Sequence, residues 1–267
     1  MNVIEHVAAA PVARSAGRPR LESRLEVGWA RSEEDVRAAQ RLRWQVFVDE
    51  MGARIAPPPG TPAWHDSDLF DPFCEHLLLR DWPGDGSEPD VVGTYRVLTP
   101  EAARRVGAYY TDTEFDLVRL RSLRPRMAEF GRACVAPAHR QGAALLMMWG
   151  ALAAFVHGHG LDCVIGCTSV PMRDGGHFAA SLWRQLQGEH LAPIEHHVRP
   201  RHALPVDELR CDLPAEPPTL LKAYLRCGAK LLGPPAWDPD FQCADLPLLL
   251  RLADLPTAYR RRLLPAR

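Results

Sequence analysis

Residues 129–142, Glu-Phe-Gly-Arg-Ala-Cys-Val followed by Ala-Pro-Ala-His-Arg-Gln-Gly, and the apolar run at 143–156 constrain this chain more than any other feature. They read as a strand, a tight glycine turn and a helix. Such a turn presents backbone N–H groups at a helix N-terminus, where a phosphate can sit without a cationic side chain. On spacing alone a plain strand-to-helix connection is the commoner reading, and a phosphate cradle is the alternative. A regular strand places side chains 129, 131, 133 and 135 on one face and 130, 132 and 134 on the other. Glu129 and Arg132 then face opposite sides unless a bulge near Gly131 intervenes. The run 143–156 is apolar around its circumference, which predicts a helix buried on all sides. It falls short of the roughly 20 apolar residues needed to span a bilayer.

A chain of 267 residues can bury one large core. Residues 1–25, rich in Ala, Arg, Pro and Ser, are expected to form a flexible N-terminal arm. The main domain is expected over 26–213. After the proline-rich stretch at 213–218, a helical C-terminal extension is expected over 214–267. The net charge of -1 supplies no general attraction to nucleic acid, so none is expected as a partner. Seven cysteines, odd in number and irregularly spaced, without a secretory leader, predict reduced thiols in a cytoplasm. Cys163 and Cys167, with the pair His196-His197, have metal-ligand chemistry. The apolar residues between the two cysteines favour a buried strand, and no metal is expected.

Upstream, Ser32 and Asp35 form a capping box with Glu33 and Glu34 in the first helical turn. Val36, Ala39, Leu42 and Val46 follow at helical spacing, with Arg43 and Phe47 as a second stripe. Residues 51–73 read as a proline-rich loop, and 75–80 and 91–98 as a hairpin. The span 101–123 reads as mixed and surface-facing, anchored by Phe115 and Leu117. A strand is expected at 163–168, a helix at 181–187 and a strand at 194–198, with helices at 219–232 and 246–263. This order is that of an α+β fold, an α/β sandwich whose sheet is mixed, starting antiparallel and continuing through a parallel crossover.

Several charged residues stand where burial is costly without purpose. Asp68 and Asp71 share one loop, and Arg96 interrupts an apolar strand. The segments 42–52 (LRWQVFVDEMG), 68–71 (DLFD), 91–98 (VVGTYRVL) and 129–132 (EFGR) resemble, in that order, the pattern of acyl-homoserine-lactone synthases. The resemblance is closer to their relatives, the ornithine N-alpha-acyltransferases of bacterial ornithine-lipid synthesis. It rests there on 73–77 (FCEHL), 131–137 (GRACVAP), 165–169 (IGCTS) and 235–241 (PAWDPDF), and it covers roughly residues 25–250. Both groups are similar to the GNAT superfamily, which implies a mixed sheet with a parallel, splayed central pair flanked by helices.

The resemblance implies transfer of a 3-hydroxyacyl group from acyl carrier protein to the alpha-amine of ornithine, giving a lyso-ornithine lipid. The co-substrate is then the carrier's 4′-phosphopantetheine arm, with no permanently bound cofactor. Glu129 is the candidate base and Arg132 its catalytic companion. Asp68 and Asp71 are expected to receive the side-chain cation. Arg43, Arg96 or Arg132 would take the carboxylate, and Phe47 would line the same site. Val135, Arg140, Gln141 and Gly142 are expected at the arm, where a turn one residue shorter than the usual GNAT loop suits a single phosphate. Arg119, Arg121, Arg124 and Arg126 offer a basic patch to the acidic carrier. Arg260, Arg261 and Arg262 offer a peripheral contact at the inner face of the membrane. A covalent route through Cys134 is the mechanistic alternative. A lactone-forming signal synthase and a non-catalytic carrier- or membrane-binding module are the functional ones.

Overall fold

The computed structural model of the chain describes residues 24–140 and 143–263. Residues 1–23 of the expected arm, Gln141 and Gly142 of the expected phosphate turn, and the side chain of Arg262 lie outside the described residues. The last two positions of the expected arm already belong to strand β1 (Arg24–Trp29). Helix α1 (Glu33–Trp44) follows. The Ser32 hydroxyl accepts the Asp35 N–H at 3.2 Å, and the Asp35 carboxylate accepts the Arg31 N–H at 2.8 Å. The reciprocal bond of the box thus closes one residue earlier than its usual form. Beyond Trp44 the helix widens into a π-helical turn, Gln45–Glu50, a distortion frequent at functional sites.

Strands β2 (Glu75–Trp82) and β3 (Asp90–Leu98) form the expected hairpin. Helices α2 (Pro100–Val106) and α3 (Thr111–Glu114) lead to the short β4 (Phe115–Asp116). Then come β5 (Met127–Val135), α4 (Ala144–Gly158), β6 (Cys163–Pro171), α5 (His177–His190) and β7 (Arg199–Pro200). The last elements are α6 (Thr219–Arg226), β8 (Lys230–Leu231), β9 (Ala236–Asp238), β10 (Cys243–Arg251) and α7 (Thr257–Leu263). The main sheet runs β1-β2-β3-β5-β6-β10-β8, with β9 also paired to β10. Every pairing in it is antiparallel except that of β5 with β6, so the mixed, GNAT-like architecture is the one found.

The parallel pair decides where a ligand can go. It holds register only from Met127–Glu129 to Cys163–Ile165, and beyond Glu129 the two strands part. Gly166 sits at the fork, where an added Cβ would come within 2.4 Å of the Phe130 carbonyl oxygen. One face of the sheet packs Leu77, Leu79, Tyr95 and Phe130 against Ala144, Met148, Leu152 and Val156 of α4. The other carries Leu98, Phe115, Leu117, Met127 and Ile165.

Several expected elements are corrected. Residues 246–251 are strand, not helix, and helix resumes only at α7. A strand held between neighbours and buried on both faces reads as a continuous apolar run, which period alone does not separate from a buried helix. Helix α6 stops at Arg226, because Gly228 turns the chain with φ +89°. The expected strand at 194–198 is a 3-10 turn over Ile194–His196. Phe115 and Leu117 lie in the core, and with them Tyr109 and Leu120, so 101–123 is not merely surface. Helix α4 buries one i, i+4 stripe rather than its whole circumference, and Leu146 is exposed.

Candidate active site

The fork between β5 and β6 opens into a cavity of about 480 Å³, within the usual range of small-molecule sites. Val135 and Arg140 line it at one end, and Leu145, Met148, Leu220 and Tyr224 supply apolar wall. Tyr110, Thr111, Glu129 and Arg132 line the polar part.

Glu129 and Arg132 reach that part from the same strand through a bulge. The pairing of β5 with β3 slips between Thr94 and Arg96, and Arg132 adopts φ +49°, unusual for a residue with a side chain. The slip cancels the alternation that would have put the two on opposite faces. Both then meet Tyr110. Its N–H donates to Glu129 Oε2 at 2.7 Å, and its ring lies 4.7 Å from the Arg132 guanidinium. Phe241 covers the guanidinium at 4.5 Å and meets Phe47 edge-on at 5.7 Å. Arg132 is therefore fixed in a cation–π stack.

Glu129 Oε1 accepts both the Thr111 N–H, at 2.7 Å, and the Thr111 hydroxyl. Oε2 accepts only the Tyr110 N–H and keeps a lone pair for another donor. Burial raises the Glu129 carboxyl above the ordinary glutamate range, and the bonds from Thr111 and Tyr110 pull it back.

Arg43, Arg96 and Arg132 meet Asp66, Asp68 and Asp71 in a neutral six-residue network. Arg96 Nη1 donates at 2.7 Å to both Asp68 and Asp71. Arg43, 0% exposed, donates to Asp71 at 2.5 Å and lies 2.8 Å from Asp66. Arg132 donates to Asp68 at 3.0 Å and lies 3.3 Å from Asp66. Gln40 adds a bond to Asp71 at 2.8 Å. Burial alone would raise the Asp71 carboxyl, but Arg43 and Arg96 outweigh it and hold it well below the usual range. The expected set Arg43, Asp68, Asp71, Arg96 and Arg132 is therefore brought together, but with its charges turned on one another.

Arg140 donates from its two terminal nitrogens to Glu50 at 2.5 and 2.6 Å, and from Nε to the Val135 carbonyl at 3.0 Å. An arm phosphate would have to compete with Glu50 for it. The basic patch is partly engaged too. Arg119 donates to the Ile194 carbonyl at 2.6 Å, Arg124 to Asp112, and Arg126 pairs with Asp162 at 3.0 Å. Arg260 is turned onto the carbonyls of Leu252 and Ala253.

Sequence reasoning missed Asp66, Tyr110, Thr111, Asp238 and Asp245. The signal for Asp245 was a single acid inside the apolar run 243–250. Tyr110 and Thr111 act mainly through backbone N–H groups, which carry no residue signature. Among the described residues, Cys163, Cys167, His196 and His197 do not converge on a metal position. The converging group is Asp238, Cys243 and Asp245, whose ligand atoms lie within 4.8 Å of one another.

The Cys134 thiol is buried and pushed up to about 12 by that burial, which leaves almost no thiolate at neutral pH. Cys134→Ala is therefore expected to keep acyl transfer within about threefold of wild type, a small packing effect, rather than abolish it as loss of a covalent nucleophile would. Single-turnover rates separate the two outcomes.

The strands part beside the buried Glu129 and open onto a mostly apolar cavity, and residues 42–150 match the model of the acetyltransferase (GNAT) domain. The enzyme is an N-acyltransferase. It belongs to the L-ornithine N(alpha)-acyltransferase family: it is 38% identical to that protein of Rhodobacter capsulatus, over 88% of this chain and 93% of the relative. It is also 33% identical to the L-ornithine N(alpha)-acyltransferase of Rhizobium meliloti, over 96% and 88%. Solved structures that share its fold include the acyl-homoserine-lactone synthase LasI (TM-score 0.50, 12% identity, 91% of this chain and 95% of that one) and FeeM, an N-acyl amino acid synthase from uncultured soil microbes (TM-score 0.51, 10% identity, 88% and 96%). Among the described residues no helix is long and apolar enough to cross a membrane.

Proposed function

We infer that the enzyme transfers a 3-hydroxyacyl group from acyl carrier protein to the alpha-amine of ornithine, giving a lyso-ornithine lipid. The observation that carries this reading is the β5–β6 fork, with Glu129 and Arg132 on one wall and an apolar channel leading away. The acceptor is the one named for the relatives in R. capsulatus and Rh. meliloti.

The acyl chain occupies the channel beside Leu145, Met148, Leu220 and Tyr224, and the phosphopantetheine arm enters past Val135 and Arg140. The parting of the strands leaves the outer edge of β5 without a β6 partner, so its N–H groups supply donors for the thioester oxygen as it becomes an oxyanion. The ammonium of the acceptor gives its proton to Glu129 Oε2, directly or through one water. The amine then attacks the thioester carbonyl, a C–N bond forms and the C–S bond breaks; the second proton, left on the nitrogen by the attack, goes to the departing thiolate, and Glu129 releases the first to solvent. Arg132 orients the acceptor carboxylate. Asp66, Asp68 and Asp71 hold the three arginines in place rather than touching the ligand.

Because burial raises the Glu129 carboxyl, the acid limb of the kcat/KM profile should lie above the ordinary glutamate value of about 4.3. Thr111 stabilises the charged form, so Thr111→Val should raise that carboxyl further and move the limb to higher pH, costing activity below it and little above it. Stopped-flow profiles of both proteins check the sign.

The donor is tested by offering the same 3-hydroxyacyl chain on carrier protein and on coenzyme A with ornithine present, and following thiol release. Preference for the carrier-bound donor is expected. Equal or better use of the coenzyme A thioester would reject the carrier assignment.

A further inference from the structure

With Asp68 and Asp71 committed to arginines, the site needs another partner for a cationic acceptor side chain. The lining of the same cavity carries one. Asp238 on β9 and Asp245 on β10 both line the cavity, at 8% and 3% exposure. Glu114 at the end of α3 lies behind them. Among the described residues none of the three forms a salt bridge, and the leading charged neighbours of Glu114 and Asp245 are other carboxylates.

Their hydrogen bonding is also incomplete. Asp238 Oδ1 accepts the N–H groups of Asp240 and Phe241 at 2.8 and 3.0 Å, and Asp245 Oδ1 takes the Cys243 thiol at 3.6 Å. Both Glu114 oxygens are buried, with the Tyr110 phenol and the Asp245 carboxyl as their neighbours, and Ser169 stands beside Asp245. The Thr168 hydroxyl, on a residue 3% exposed that lines the same cavity, lacks a partner. Burial and the neighbouring carboxyls raise Glu114 and Asp245 above the ordinary carboxylate range, disfavouring their charged forms, and a ligand bringing an ammonium group would supply the missing cation. The group is also next to the reacting end. Glu129, Cys167, Asp238 and Asp245 all line the same cavity.

We propose that Asp238 and Asp245, backed by Glu114, form the subsite for the side-chain ammonium of a diamino acid acceptor. This rests on the reading of the chain as an amino acid N-acyltransferase and gives that site its side-chain selectivity. Arg132 and the acid group then bracket the acceptor, carboxylate to one side and distal cation to the other, with the alpha-amine at Glu129. Norvaline, which has the carbon chain of ornithine without the distal amine, leaves the acids unpaired and should be a poor acceptor.

The test compares ornithine with norvaline, in the presence of the acyl donor, for wild type, Asp245→Asn and Glu114→Gln, and measures ornithine binding by calorimetry. Wild type should prefer ornithine strongly. The preference should fall about 100-fold in Asp245→Asn, with weakened ornithine binding, because a site built around a polar group discriminates through its unpaired partners. Glu114→Gln, away from the cavity lining, should lower the preference less and guards against a folding defect in the first variant. An unchanged ornithine-to-norvaline ratio in both folded variants would overturn the subsite while leaving the acyltransferase reading intact. Failure of wild type to acylate either amino acid would overturn the ornithine-acceptor reading instead. Loss of ornithine binding on EDTA dialysis, restored by a divalent cation, would also overturn the subsite, because Asp238, Cys243 and Asp245 would then be holding a metal.

Discussion

Glu129→Gln is expected to lower the rate of amide formation at neutral pH about 1000-fold, the range of a lost general base. The amide oxygen can still accept from Thr111, but the side chain can no longer take a proton. The acceptor must then shed its proton to solvent, so the residual rate of the variant should climb with pH as the free amine becomes abundant. That climb distinguishes loss of a base from loss of packing, which would leave a flat residue of activity. Thermal unfolding of the variant guards against the second case, since its amide nitrogen must face one of the three donors that now meet a carboxylate. Wild-type turnover by the folded variant at pH 7 would remove Glu129 from the reaction.

Asp71→Asn should be the most damaging single change to stability. Asp71 accepts from Arg43, Arg96 and Gln40 at a position 4% exposed, and removing its charge leaves two buried guanidiniums short of a counterion. Breaking a buried pair by removing one partner costs about 3–5 kcal/mol. The urea midpoint should fall accordingly with an unchanged slope. The pH dependence has a definite sign. The folded carboxyl is depressed below its unfolded value, so its contribution is present above the unfolded value of about 3.9 and is lost as pH falls toward the folded one. In acid the wild type should lose stability and approach the variant. A variant as stable as wild type at pH 7 would mean that the network closes without Asp71.

The sequence made the order of the site residues legible because each belongs to a distinct local pattern. Arg43 shares a stripe with Phe47, Asp68 and Asp71 share a loop, and Arg96 interrupts an apolar strand. Long-range charge pairing was not legible. Nothing in the spacing of Asp68 and Asp71 says that three arginines from α1, β3 and β5 will consume them, because that follows only from the sheet order. The Glu129–Arg132 relation was open for a similar reason. A bulge at Arg132 depends on the slip against β3 and leaves no residue signature. The burial of β10 on both faces made its apolar run look helical, and Asp245 was passed over with it.

Purified protein should be incubated with 3-hydroxyacyl carrier protein and a panel of ornithine, lysine, norvaline and S-adenosylmethionine, and the products fragmented by tandem mass spectrometry. The predicted result is an amide on the alpha-nitrogen of ornithine, formed in preference to every other acceptor. Acylation of the delta-nitrogen, or a lactone formed from S-adenosylmethionine with no ornithine product, would contradict it.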